Sequence, residues 1–412
     1  PRHNGLRLEH IDQLAYIATG DAVEIDPATR RALEITQNAT DGSARLTLLS
    51  VIDRTVTPMG GRLLRRWLER PLRVMEALQA RQEAVARLLE HHATRGDLRD
   101  NLEKIADIER LVGRAVSGLA SPRDLAALRD SLLRLPEVAE CARKVALGRL
   151  GELHQALGDH RDLAHDLRMS LVDLPPLTLR EGGIIRPGFD VPLDQLREKS
   201  RKGKDYIAQL EQTERQATGI DRLKVGYNGV FGYYLEVSKT QTDKVPDHYV
   251  RKQTTANAER YITAELKEHE SAVLGADEKA AALEADLFQQ IRGKVVAHAT
   301  ALVATARAVA ELDALASLAE TANRCRFCRP ELTDSGDLII EEGRHPVVEA
   351  NAEAFVPNDL RLEGQARLVV LTGPNMSGKS TFLRQTALIV LLAQVGSFVP
   401  AKSCQVPLCD RI

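Results

Sequence analysis

Apolar residues between Asp26 and about Leu171 return every three or four positions, the spacing of helices packed on one another. The stretch GRLLRRWL (Gly61–Leu68) follows that period and stops at Pro71. Ser121, Pro122 and Asp124 read as a helix start: an N-cap hydroxyl, a proline at the first helical position and a carboxylate three residues after the cap. The helix they open carries Leu125, Leu128, Leu132 and Leu135 and is expected to halt at Pro136. LPPLTLREGGIIRPGFD (Leu174–Asp190), rich in proline and glycine, reads as a linker. A charged helix over Leu193–Thr218 follows, ended by Gly219.

The period then changes. RLKVGYNGVFGYYLEVSK (Arg222–Lys239) alternates like a strand and is broken by glycines, the pattern of a twisted hairpin. Tyr249–Thr263 is expected to add one strand and a short helix. From Ala264 to Asn323 the helical period returns through Leu283, Leu287, Ile291, Val295, Ala299 and Leu302. A continuous helix there spans on the order of 85 Å, with Gly275 and Gly293 as its weak points. A small β-containing module thus sits between a helix going out and a long helix coming back, as a tip on a lever.

Near the C-terminal end stands VVLTGPNMSGKSTFLRQ (Val369–Gln385). Gly373, Gly378, Lys379 and Ser380 meet the spacing G-x-x-x-x-G-K-[ST] of a phosphate-binding loop. Leu368–Leu371 precedes it as a short apolar run suited to a buried strand, and Phe382, Leu383, Ala387, Leu388, Val390, Leu391 and Leu392 follow as a largely buried helix. Glycines let backbone N–H groups turn inward, and the helix N-terminus adds partial positive charge. In that geometry Lys379 reaches the β- and γ-phosphates, Ser380 ligates Mg²⁺ and Thr381 adds a phosphate hydrogen bond. Hydrolysis also needs an acidic residue at the end of a second apolar strand. The nearest resemblance, Leu338–Glu342, lies upstream and reads as an ordinary edge strand. The nucleotide part is therefore expected to be truncated, without turnover.

Composition narrows the classes. With 412 residues, 43% hydrophobic and 28% charged, there is room for two to four globular domains. Aromatics at 4% point to helix-dominated packing. No apolar run reaches a membrane-spanning length, Pro1–His10 is no signal peptide, and a cytoplasmic setting is expected. The net charge of −2 excludes a globally basic nucleic-acid binder. Locally the balance differs: Arg197–Lys267 holds 14 Lys/Arg against 10 Asp/Glu. Lys224, Lys239, Lys244, Arg251, Lys252 and Arg260 surround the β-elements and are candidate phosphate contacts, against the alternative of a solvated face. Six of the seven tyrosines fall in the same module and read as core. The cysteines Cys325, Cys328, Cys404 and Cys409 read as incidental thiols rather than a zinc tetrad, and His91, His92, His154, His160 and His165 as solvated helix surface.

Several stretches together resemble the MutS family of bacterial DNA mismatch-repair proteins. LLSVIDRTVTPMGGRLLRRWLERPL (Leu48–Leu72) is similar to the start of its core domain, and Leu223–Glu268 to its DNA-backbone clamp. EGRHPVVE (Glu342–Glu349), FVPNDL (Phe355–Leu360) and Leu371–Ala401 are similar to its ATPase domain. The resemblance implies a mainly α fold with a small β-containing clamp and the start of a P-loop, ABC-type α/β ATPase. It places core and lever at 1–190, clamp at 191–268, a lever return helix at 269–322 and the ATPase part at 323–412. It implies a homodimer that encircles duplex DNA, binds ATP or ADP with Mg²⁺, and recruits MutL.

Carried onto this sequence, Gly373, Pro374, Asn375, Met376, Ser377, Gly378, Lys379, Ser380 and Thr381 hold the phosphates, Asn375 lies near the γ-phosphate, and Phe355 and Val356 flank the adenine. Lys379 serves transition-state charge only in the whole protein. The family's mismatch-reading Phe-x-Glu is not present in the sequence. The alternatives are a paralogue acting on branched or recombining DNA, and a helical scaffold with a vestigial P-loop.

Overall fold

The helical period ahead of Leu171 resolves into α1 (Pro27–Ala32), α2 (Leu48–Ile52), α3 (Pro58–Glu69), α4 (Met75–Glu90), α5 (His92–Leu102), α6 (Ile108–Val116), α7 (Pro122–Lys144), α8 (Gly148–Ala156) and α9 (Arg161–Ser170). This computed structural model describes residues 22–229, 232–366, 368–375 and 377–412. Pro1–His10, whose sequence was read above, lies outside them.

Short polar side chains start these helices. Thr47 and Ser50 close a capping box on α2, and Thr57 accepts from Gly60 at the head of α3. At α7, Ser121 N donates to Asp124 Oδ2 at 2.7 Å, as its sequence pattern predicts. Pro136 does not halt that helix; α7 runs through it to Lys144. The ring is on the exposed side, while Leu132, Leu135, Val138 and Ala142 are buried on either side of it, and their packing outweighs one missing backbone bond.

The chain divides into two compact units. The first holds residues up to Leu119, 127–164 and 295–412, and the second holds 120–126 and 165–294. Val191–Thr218 forms α10, ended by Gly219 in the left-handed region at φ 64°. The expected single helix over Ala264–Asn323 is two: α11 (Ala264–Ala297) and α12 (Ala299–Cys325). Gly275 and Gly293 pass through α11 intact. The break falls at His298, whose N–H bonds Val295 O in a tighter turn before Leu302 N–H bonds His298 O and the helix restarts. Apolar periodicity is the same on both sides and conceals it.

In the first unit α12 is buried on most of its circumference. One stripe of it is polar, at i, i+4 and i+8. Asp313 accepts from Val56 N, Thr57 N and Thr57 Oγ1, the last two at 2.7 Å; Ser317 accepts from Arg54 N and donates to Ile52 O; Thr321 donates to Ile52 O. The turn between α2 and α3 is thereby read by side chains of α12. Gly60 is obligatory there, because a Cβ would lie 2.2 Å from Asp313 Oδ2. Burial raises the Asp313 carboxyl above its ordinary value, and the hydrogen bonds oppose that rise. His160 departs from the solvated reading: it is buried, with Nε2 2.7 Å from Thr305 Oγ1 of α12.

The second unit carries β1 (Lys224–Asn228), β2 (Gly232–Ser238), β3 (Val250–Thr254) and β4 (Ala258–Ile262) in the antiparallel order β1-β2-β4-β3. The expected hairpin is present. Tyr249–Thr263 yields two strands rather than a strand and a helix, because Thr255 and Ala258 close a tight turn between them. One sheet face packs Leu235, Val237 and Tyr261 against Ile207 and Leu210 of α10 and Leu266 and Val273 of α11. Contacts of Ser200 with Asp277 and Arg197 with Glu284 show α10 and α11 running antiparallel. At their far end Glu284 accepts from the N–H groups of Gly183, Ile184 and Ile185, which gives the Pro/Gly-rich stretch its fixed course.

The first unit also holds β5 (Glu331–Thr333), β6 (Leu338–Gly343), α13 (Pro346–Glu349), β7 (Asn358–Leu362), α14 (Lys379–Val395) and β8 (Ser403–Pro407). Sheet order is β5-β8-β6-β7. β6 is therefore an interior strand and not the edge strand expected, since β8 arrives from far along the chain to pair with it. Leu368–Leu371 forms no strand, and Leu368 and Val370 are 82% and 78% exposed. An apolar strand of a parallel sheet is covered on both faces and bonded along both edges, and no described strand offers this run an edge.

Candidate functional site

The loop before α14 takes its shape from two glycines at positive φ, Gly373 (153°) and Gly378 (86°). Gly378 is the N-cap of α14 and supplies no side-chain hydrogen bond, so the first turn of the helix keeps its N–H donors free of a side-chain cap. Lys379 turns back into the loop: Nζ donates to Gly373 O at 2.7 Å and to Pro374 O. The Ser377 hydroxyl donates to Pro374 O at 2.9 Å. The ammonium of Lys379 thus lies within the loop, next to the start of α14. Of the expected helix, Leu388–Val395 is buried throughout, whereas Leu383 is 61% exposed.

A cleft of about 720 Å³ brings the loop together with the residues expected around a base. Phe355 and Val356 line it together with Ser377, Gly378, Lys379 and Thr381. Gly373, Pro374, Asn375 and Ser380 are not on its lining, although Ser380 is exposed on the first turn of α14. Met376 lies outside the described residues. Residue-type reasoning missed Asn358, Asp359 and Arg361, which β7 also brings to the lining. Asp359 accepts from Glu342 N at 2.7 Å and Arg361 pairs with Glu341 at 3.0 Å, so both are partly committed to β6. Their signal lay in FVPNDL, where a strand follows directly on the two wall residues.

Among the described residues no group of three His, Cys, Asp or Glu side chains is placed to hold a metal. Burial pushes the Cys325, Cys328 and Cys409 thiols up and Cys404 up to about 12. His345, the N-cap of α13, is buried and held to about 4 by desolvation and then by the charge of Arg384. It stays neutral and accepts from Val348 N through Nδ1.

The six basic residues of the second unit do not act alike. Lys224 is exposed on the open face of the sheet, Lys239 starts the turn after β2, and Lys252 sits at the register shift of β3. Among the described residues none of these three is in an ion pair within 4 Å. Lys244 donates to Gly219 O at 3.2 Å and Arg251 pairs with Glu259 at 3.3 Å. Arg260 is the most committed: it bonds Glu236 and Gln253, each at 2.9 Å, and its guanidinium lies 4.3 Å over the Tyr234 ring. That ring rests on Gly226, where a Cβ would come within 2.6 Å of it. Tyr249 and Tyr261 are core, as expected; Tyr234 packs on the open face and Tyr227 is 55% exposed. The hairpin is pinned from below by Glu270 of α11, which accepts from Tyr233 N.

With this geometry in place, the model of MutS domain III matches residues 28–319 and that of MutS domain V matches 369–412. The chain belongs to the MutS family. It is 50% identical over 408 residues to the DNA mismatch repair protein MutS of Symbiobacterium thermophilum, covering 98% of this chain and 47% of the relative. The Synechococcus elongatus protein of the same name is 50% identical over 393 residues, covering 94% and 44%. The Ruminiclostridium cellulolyticum protein is 45% identical over 410 residues, covering 99% and 47%. The chain spans about half the length of these MutS relatives. Phe355 and Val356 fall between the two matched regions, whereas Lys224, Arg251 and Arg260 fall inside the first.

Proposed function

We propose that this chain is the core, DNA-grasping and nucleotide-holding part of a DNA mismatch-repair ATPase, which works as a homodimer around duplex DNA and recruits MutL under ATP control. The observation that carries the nucleotide side is the one cleft lined by Phe355 and Val356 together with Ser377, Gly378, Lys379 and Thr381. Its chemistry suits ATP or ADP: apolar wall residues for the base, and Lys379 with uncapped N–H groups for the phosphates. Lys379 already rests on carbonyl oxygens at the loop, so the positive charge is in place before an anion arrives. Ser380 is the side chain for Mg²⁺, and the metal would offset phosphate charge there. The region 323–412 is then the first part of a P-loop ATPase domain, 191–268 the clamp, and 1–190 with 269–322 the core and lever. A cytoplasmic setting fits the chain: among the described residues no single helix is long and apolar enough to cross a membrane.

On the DNA side, Lys224, Lys239 and Lys252 are the residues we assign to phosphate, with Lys244, Arg251 and Arg260 shaping the surface around them. Contacts of this kind position a protein on the duplex and carry no sequence information. The decisive experiment is equilibrium dialysis of radiolabelled ADP with Mg²⁺, on the chain and on Lys379→Ala. Saturable retention lost in the variant supports the reading; equal retention by both removes it. Phosphate release from ATP should not exceed that of Lys379→Ala.

A further inference from the structure

The phosphate-loop helix is built differently at its two ends. Its N-terminal turn is partly exposed and has no side-chain cap, while its C-terminal turn is fastened to the helical core through Gln394 and the Val395 carbonyl. Gln394 is fully buried; its Nε2 donates to Leu72 O at 3.1 Å and to Cys409 O at 2.9 Å, and its Oε1 accepts from Cys409 N at 3.2 Å. Leu72 N donates to Gln394 O at 2.8 Å. Leu72 lies in the connection between α3 and α4. Arg81 of α4 completes the fastening. Its Nη1 donates to Val395 O at 3.0 Å, at the end of α14 where carbonyls lack helical partners. Its guanidinium lies 3.7 Å over the ring of Trp67 on α3. Gly396, at φ 85°, leaves room for the Arg81 stem, since a Cβ there would come within 2.6 Å of Arg81 Cβ. Burial lowers the Arg81 guanidinium to about 10, still charged at neutral pH.

We propose that Arg81 is a positioning residue that sets the phosphate loop through α14, and that occupancy of the loop is felt at the Arg81–Trp67 stack. The inference rests on the nucleotide reading of the loop. A phosphate entering it competes with the carbonyl oxygens of Gly373 and Pro374 for Lys379, so the head of α14 must readjust when ligand binds. A helix of 17 residues, about 25 Å long, moves as a rod. A rod fastened at one end delivers a shift at the other to its fastening. The fastening includes the one tryptophan of the chain, so the signal has its own reporter.

The test uses the full chain with Mg²⁺ and ADP. Retention is measured by equilibrium dialysis, and Trp67 emission is recorded on the same samples. In the unaltered chain the emission change should follow the retention curve. Arg81→Met keeps much of the side-chain volume and removes the guanidinium. It should weaken retention by about fivefold and abolish the emission change at saturating ADP. Arg81→Lys, which restores a charged donor, should recover retention in part; it also carries the test if Arg81→Met loses its cooperative melt. Retained ADP with unmoved Trp67 emission in the unaltered chain overturns the inference, as does an unaltered emission response in the Arg81 variants. No ADP retention by the unaltered chain overturns the nucleotide reading itself, and this inference with it.

Discussion

Two regions present cations suited to phosphate, and they are organised in opposite ways. The loop before α14 places one ammonium, Lys379, on two backbone carbonyls beside the bare N–H groups of a helix start. The tip sheet spreads its charges over short strands and turns, and part of that charge is already spent on Glu259, Glu236 and Gly219 O. The first arrangement is local geometry, so losing its cation should be catastrophic for binding. The second is an electrostatic surface, so its losses should come in steps. A charge count of 14 against 10 treats these alike; the partners of each cation separate them.

The sharpest way to break the comparison is Lys379→Ala, expected to weaken ADP retention by about a hundredfold, as for removal of one partner from a charge-assisted contact. Dialysis measures it, and a loss below about fivefold would place the loop with the tip as a diffuse site. Next comes Gly232→Ala. Gly232 has φ 79°, and a Cβ would lie 1.6 Å from Glu270 Oε1, so the hairpin must leave the buried carboxylate beneath it. About 2 kcal/mol of stability should be lost in urea titrations, while ADP retention stays unchanged.

Within the tip, Lys224→Ala, Lys239→Ala and Lys252→Ala should each lower the slope of log K against log salt for duplex DNA by roughly 0.9. Each should leave stability within about 0.5 kcal/mol. Arg260→Ala should do the reverse, costing about 1 kcal/mol through its ion pair and ring contact with little change in slope. A G·T mismatch should not be preferred over homoduplex at matched salt.

The smallest effect concerns pH on the loop side. His345 faces Arg384 and Glu34, and its folded value lies below the unfolded one. The stability it allows is present above the unfolded value near 6.5 and is lost as pH falls toward about 4. Between pH 7 and 6 the loss should be about 0.5–1 kcal/mol, and His345→Asn, which keeps an N-cap acceptor, should flatten it.

What the sequence made legible was local. The loop motif, the cap at Ser121, the Gly219 stop and the β1–β2 hairpin all depend on residues within a few positions of one another. What it concealed depends on distant partners. β6 is interior only because Cys404 pairs with Ile340. His160 is buried only because Thr305 stands opposite it. Pro136 is tolerated because buried neighbours on both sides keep the helix in place. Of the residues the motifs named, Phe355, Val356, Ser377, Gly378, Lys379 and Thr381 line the cleft and Gly373, Pro374, Asn375 and Ser380 do not, while Asn358, Asp359 and Arg361 join it only through the strand's course. The commitments of Arg251 and Arg260 were likewise invisible, since cross-strand register decides which acid each one meets.

Gly226 carries an unexpected consequence. Tyr234 lies on it and Arg260 lies on Tyr234, so the height of a guanidinium above the sheet is set by a residue with no side chain. In a saturation screen for stability, position 226 should score as harshly as a core residue although it has no side chain to bury. One added carbon would lift the ring and tilt the arginine away from its acid. A survey of tolerated variants that equates sensitivity with contact would count position 226 as a contact.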